Sequence, residues 1–177
     1  TDYVTPVNDP PSGADKTVAV LEDGAFTFAT ADFGFSDALD GHALAAVKIT
    51  SLPSNGVLTL DGTAVNADDF VSVAAIAAGD LVFTPATNGN GAPYASFTFQ
   101  VQDDAGTADG GVDLDQSPNT ITVDVTPVND APSGTDKTVT LLEDASHTFA
   151  AADFGFSLAL DGHTLTAVKI TTLPVDG

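Results

Sequence analysis

The sequence contains no cysteine, no methionine and no tryptophan, and it has 4 basic residues against 25 acidic ones. Without cysteine, neither disulfides nor thiolate metal sites can form. Stability must then come from apolar burial and from hard cations held by oxygen. Cysteine-free composition suits an exported bacterial repeat protein, and a cytosolic one equally. With no tryptophan, and tyrosine only at Tyr3 and Tyr94, there is little aromatic surface for stacking a sugar ring. No apolar run approaches the ~20 residues of a membrane-spanning helix, and no signal peptide opens the chain. A net charge of −21 repels phosphate backbones and anionic bilayers, so neither nucleic-acid binding nor membrane insertion is expected.

What is present can fold. The length of 177 residues accommodates one or two domains. High net charge is a mark of disorder, but here 43% of residues are hydrophobic and they alternate in runs that can build a core. The self-repulsion of so many carboxylates needs an answer, and bound cations supply one.

The chain repeats itself. V-T-P-V-N-D begins at Val4 and again at Val125, an offset of 121 residues. The register continues without a gap through L-E-D at Leu21 and Leu142, A-D-F-G-F-S at Ala31 and Ala152, L-D-G-H at Leu39 and Leu160, and A-V-K-I-T at Ala46 and Ala167. Such self-similarity marks an array of duplicated units. Residues 1–7 read as the end of a preceding repeat, 8–128 as one complete unit, and 129–177 as the first part of the next. Residue 1 is expected to lie inside a longer polypeptide. The partial second unit reads either as a fragment or as a unit completed by strands from another chain.

Period-two patterning dominates. Strands are expected over 17–21, 25–29 (Phe26 and Phe28 inward), 45–51, 57–60 (Leu58 and Leu60 inward), 81–84, 96–102 (Phe97, Phe99 and Val101 inward) and 120–125. Pro53-Ser54-Asn55-Gly56, Asp61-Gly62 and Asn88-Gly89-Asn90-Gly91 mark turns. Residues 72–79 read as one helical turn, with Ser72 as cap and Gly79 as stop. Short strands with a single helical turn predict an all-β, immunoglobulin-like sandwich. The junction prolines, Pro127 and Pro132, predict an extended, stiff connection.

Taking the strands as alternately down and up places Asn8, Asp9, Asp37, Asp40 and Asp103-Asp104 at the upper end of the unit. Glu22-Asp23 then fall at the lower end, facing the junction Asn129-Asp130 and Asp161; Glu143-Asp144 are the second copy of Glu22-Asp23. Acidic loops gathered at one end suit Ca²⁺, which takes about six to eight oxygen ligands. The plain alternative is that these residues form turns and solvated loop tips. The acidic stretch 104–119, with Asp109, Asp113 and Asp115, reads either as a further metal loop or as a mobile one.

At these motifs the chain resembles the bacterial cadherin-like repeats of large surface adhesins and RTX-type proteins. The motifs are T-P-V-N-D-x-P at the junction, L-E-D after the first strand, D-x-x-D-G in the next loop and V-x-D-D-x-G after the long strand. The resemblance implies calcium held between repeats: by Glu22, Asn129, Asp130 and Asp161 at one seam, and by Asn8, Asp9, Asp37, Asp40 and Asp103 at the other. It also implies extracellular or cell-surface location and a role in adhesion, biofilm or fibre structure, with neighbouring repeats as partners. Two departures stand out: Pro6 and Pro127 replace the first junction aspartate, and Leu158 stands where the first copy has Asp37.

Three functions remain open on the sequence: a calcium-stiffened spacer of an adhesin, a filament subunit completed between chains, and a carbohydrate-binding module. Catalysis is not expected. G-x-S-x-G, H-E-x-x-H and a phosphate-binding glycine loop are all missing, and His42 and His163, recurring after D-G, read as loop residues.

Overall fold

The computed structural model describes residues 5–157 and 163–173, and its contacts divide the chain into two units, Thr1–Pro127 and Val128–Gly177. The first unit is a β-sandwich. Its strands are β1 (Lys16–Leu21), β2 (Phe26–Thr27), β3 (Leu44–Ile49), β4 (Val57–Leu60), β5 (Thr63–Ala64), β6 (Phe70–Ser72), β7 (Leu81–Thr84), β8 (Gly91–Asp103) and β9 (Asn119–Thr126), with helix α1 (Val73–Ala78) between β6 and β7. One sheet has the order β1-β9-β8-β3-β6 and the other β2-β7-β4-β5. All pairs are antiparallel except β1 with β9, which run parallel from Lys16↔Ile121 to Leu21↔Thr126.

The alternation explains the layers. Phe97, Phe99 and Val101 on β8, with Ile121, Val123 and Val125 on β9, are buried between the sheets, as are Val47, Ile49, Leu58, Leu81 and Phe83. Phe28 meets Phe97 edge-on at 5.5 Å, and Phe33 meets Phe99 at 5.0 Å. T-shaped contacts of this kind add about 0.5–1.5 kcal/mol beyond area burial. Helix α1 closes one flank. Ser72 Oγ accepts the Ala75 amide at 3.2 Å, Ile76 is buried, and Gly79 ends the helix at φ 83°, a conformation that favours glycine.

Several details differ from the sequence expectation. The strand expected over 25–29 is only Phe26–Thr27; the Phe28 amide still bonds to Leu81 O opposite it, and the chain then enters a 3₁₀ turn at Thr30–Phe33. Phe26 and Leu60 are half-buried at the margin of the core rather than inside it. Strands β5 and β6 have no counterpart in the periodicity, being too short to show it. Strand β8 starts at Gly91, five residues early, with a bulge between Gly91 and Ala95.

The second unit reproduces local features of the first. A 3₁₀ turn spans Ala151–Phe154, and Ser133 bridges Ser157 as Ser12 bridges Ser36. Lys137 pairs with Asp153 as Lys16 pairs with Asp32 at 2.6 Å. Backbone donation from Ala150, the Lys137 ammonium and His147 together hold the Asp153 carboxyl well below its ordinary range. Phe149 is 63% exposed, whereas its counterpart Phe28 is 1% exposed. The described residues of this unit include no counterpart of β7–β9, the strands that cover Phe28 in the first.

Candidate metal centre

Three segments meet at the upper end of the first unit: the stretch before β1, the loop from Gly34 to Ala43, and the loop after β8. Strand β8 carries Asp103 there, 2% exposed. Its carboxylate accepts both Ala105 N (Oδ1, 2.9 Å) and Asn8 Nδ2 (Oδ1 3.2 Å, Oδ2 3.1 Å). Asn8 Nδ2 also donates to Val112 O at 2.8 Å, and Val112 N returns a bond to Asn8 O at 2.9 Å. Four acceptors around Nδ2 fix the amide's orientation. That leaves Asn8 Oδ1 buried with no hydrogen-bond partner.

The second loop curls around Asp37, whose side chain is 2% exposed. Its Oδ2 accepts His42 N at 2.9 Å and its Oδ1 accepts Asp40 N at 3.2 Å. Burial pushes the Asp37 carboxyl up, but the amides of His42, Asp40 and Gly41 and the His42 ring outweigh it, so the net shift is downward. The same turn lays His42 Nδ1 3.3 Å from Asp37 Oδ2, and Nδ1 is buried without a hydrogen-bond partner. Asp37, His42 and Asp103 each offer one ligand atom, all within 4.8 Å of one another.

The other expected upper-end residues act as ties. Asp40 Oδ2 accepts Asp9 N at 2.6 Å, and Asp104 Oδ1 accepts Ala43 N at 3.0 Å; all three acidic residues are exposed. Glu22 and Asp23 lie at the opposite end. Glu22 is 3% exposed and accepts Asn90 Nδ2 at 2.9 Å, while Asp23, at φ 61°, accepts Asn88 N at 3.4 Å. In the second unit, Asn129 Nδ2 donates to Asp130 O at 3.1 Å. Asn129, Asp130 and His163 border one cleft, and Glu143 and Asp144 are exposed in a turn. Asp161 and Leu158 lie outside the described residues.

Two residues carry more than the sequence suggested. His42, read as a loop residue, stands against Asp37; its only sequence signal was the recurrence of D-G-H. Asp115 is 5% exposed and accepts Gly13 N at 2.9 Å, Ser117 N at 2.9 Å and Asn119 Nδ2 at 2.8 Å. It pins the stretch before β1 to the start of β9. The loop after β8 is therefore tied to the sandwich through Asp115, Leu114 and Asp113. Leu114 bridges Gln102, and Asp113 Oδ2 accepts Gln102 Nε2 at 3.1 Å.

Two facing sheets, a short capped helix and a polar end made of loops define an immunoglobulin-like structural module. The family model for the bacterial Ig domain matches residues 8–126, and the chain belongs to that family. Its members are typically structural, non-enzymatic domains of surface proteins. No curated protein matches the chain. Among the described residues, no helix is long and apolar enough to cross a membrane.

Proposed function

We propose that this chain is a calcium-stabilised spacer repeat of an extracellular bacterial surface protein or adhesin, joined in series with further copies of itself. The observation that supports it is the upper end of the first unit, where the carboxylates of Asp37 and Asp103 are both buried within one cluster of ligand atoms. Asn8, bonded to Asp103, carries a buried oxygen with no donor. Hard oxygens of this kind are the donors calcium takes, and each carboxylate has lone pairs left beyond its backbone bonds. Asp37, Asp103 and Asn8 would hold the ion, with exposed Asp9 and Asp40 beside them. The ion would neutralise crowded negative charge in a chain of net charge −21 and clamp three loops that otherwise rest on hydrogen bonds.

Extracellular calcium modules commonly bind in the ~10⁻⁴–10⁻³ M range, which separates the outside of a cell from its interior. The test is thermal unfolding of the whole chain in chelator and in millimolar calcium. A rise in melting temperature that Asp37→Asn removes supports the reading. An unchanged transition in the native chain overturns it.

A further inference from the structure

We infer that the upper end of the first unit is a mixed nitrogen–oxygen site, formed by Asp37, His42 and Asp103, that selects a first-row divalent transition ion of the Zn²⁺ class over calcium. The inference rests on the reading of that end as a cation site and names the kind of cation it prefers.

Four observations carry it. First, the trio is not purely acidic: an imidazole nitrogen and two carboxylates present ligand atoms within 4.8 Å of one another. Imidazole favours zinc and its neighbours, whereas calcium takes oxygen almost exclusively. Second, His42 Nδ1 is buried and lacks a hydrogen-bond partner although Asp37 Oδ2 stands 3.3 Å away. A cation seated between the two atoms would take a lone pair from each. Third, the spacing suits a small ion. Bonds of ~2.0–2.1 Å in a tetrahedron give ligand–ligand edges of roughly 3.3–3.4 Å, and the His42–Asp37 edge is already 3.3 Å. Asp103 offers its ligand atom within 4.8 Å of the other two. Fourth, an open cleft of about 330 Å³ bordered by Asn8, Asp40 and His42 gives an ion and its remaining water a way in.

The loop builds the pair by itself. Donation from His42 N to Asp37 Oδ2 at 2.9 Å closes the turn that sets the imidazole beside the carboxylate. Gly41, at φ 74° with no atom within 4 Å of where a Cβ would stand, lets the chain reverse there. The second copy supplies an internal contrast. It keeps His163 but has Leu158 in place of Asp37, so the first unit alone has the full trio.

The test uses the whole chain, stripped with chelator, and titrates Zn²⁺ alone, Ca²⁺ alone, and Zn²⁺ against saturating Ca²⁺. Binding is followed by calorimetry and by the ring resonances of the three histidines. The expected result is one Zn²⁺ per chain, with shifts at His42 and none at His147 or His163. The ratio of Zn²⁺ to Ca²⁺ affinity falls at least tenfold in His42→Gln. Unfolding of the variant in chelator checks that it still folds, and Asp37→Asn, which keeps the side chain's shape, gives a second variant expected to lose Zn²⁺. An unchanged affinity ratio in His42→Gln, or shifts confined to His147 and His163, overturns the inference. The calcium reading fails separately, by the absence of any Ca²⁺ response in the native chain.

Discussion

Replacing Asp103 by asparagine changes one buried oxygen into a donor, and its cost should depend on calcium. In the native chain, Asp103 accepts Ala105 N at 2.9 Å and Asn8 Nδ2 at 3.1–3.2 Å. In Asp103→Asn the amide oxygen keeps Ala105, but its nitrogen confronts Asn8 Nδ2. Asn8 can turn its orphan oxygen toward that nitrogen only by giving up Val112 O, 2.8 Å away. One to two hydrogen bonds are compromised, a cost of about 1–3 kcal/mol in chelator. Calcium adds a second cost. At ~10 mM ion and a Kd of ~10⁻⁴–10⁻³ M, binding stabilises the native unit by about 1.4–2.7 kcal/mol, and the variant forfeits most of it. At roughly 3–6 °C per kcal/mol for a unit of this size, calcium raises the native melting temperature by about 4–16 °C and the variant's far less. With no tryptophan in the chain, tyrosine fluorescence is a usable probe; Tyr94, whose hydroxyl oxygen accepts Ala86 N at 3.1 Å, sits in the first unit. An equal destabilisation in chelator and in calcium would refute the metal's part in this reasoning.

Asp115→Ala leaves Gly13 N and Ser117 N without their acceptor and strips one from Asn119, so it should destabilise by about 2–4 kcal/mol in urea unfolding, with or without calcium. Phe97→Ala opens a cavity where the Phe28 ring packs and should cost about 3–5 kcal/mol by the same assay. Ser72→Ala removes the cap of α1, for a loss of about 1 kcal/mol. The Asp37 carboxyl, held below its ordinary value of 3.8 in the folded chain, contributes stability that is fully present above that value and is lost as pH falls through the lower folded one. In chelator, the urea midpoint of Asp37→Asn should therefore drop less steeply below about pH 4 than that of the native chain.

The sandwich was legible wherever a run was long enough to show its period. Phe97, Phe99 and Val101 announce a strand with one buried face, and Ser72 with Gly79 bracket the helix, because burial alternation and capping act over a few neighbouring residues. The two-residue strand Thr63–Ala64 and the three-residue strand Phe70–Ser72 carry too few side chains to reveal a period, and their partners β4 and β3 draw them into the sheets. The parallel pairing of β1 with β9 joins residues more than 100 positions apart in sequence, which local patterning does not encode.

The acidic end divides the same way. Strand direction alone sends Asn8, Asp37, Asp40 and Asp103 to one end, since each lies at a strand's end or in the adjoining loop. Which of them become buried, and which merely tie loops together, depends on how three distant segments fold over one another. That closure buries Asp37 and Asp103, leaves Asp9 and Asp40 in water, strands Asn8 Oδ1, and turns His42 from a loop residue into a neighbour of Asp37. It also makes Asp115 a structural clasp through Gly13, 102 positions away. Composition and periodicity thus determined a β-sandwich repeat with an acidic end. Only the packing of its loops decided which polar atoms are desolvated there, because desolvation depends on everything that surrounds an atom and not on its place in the chain.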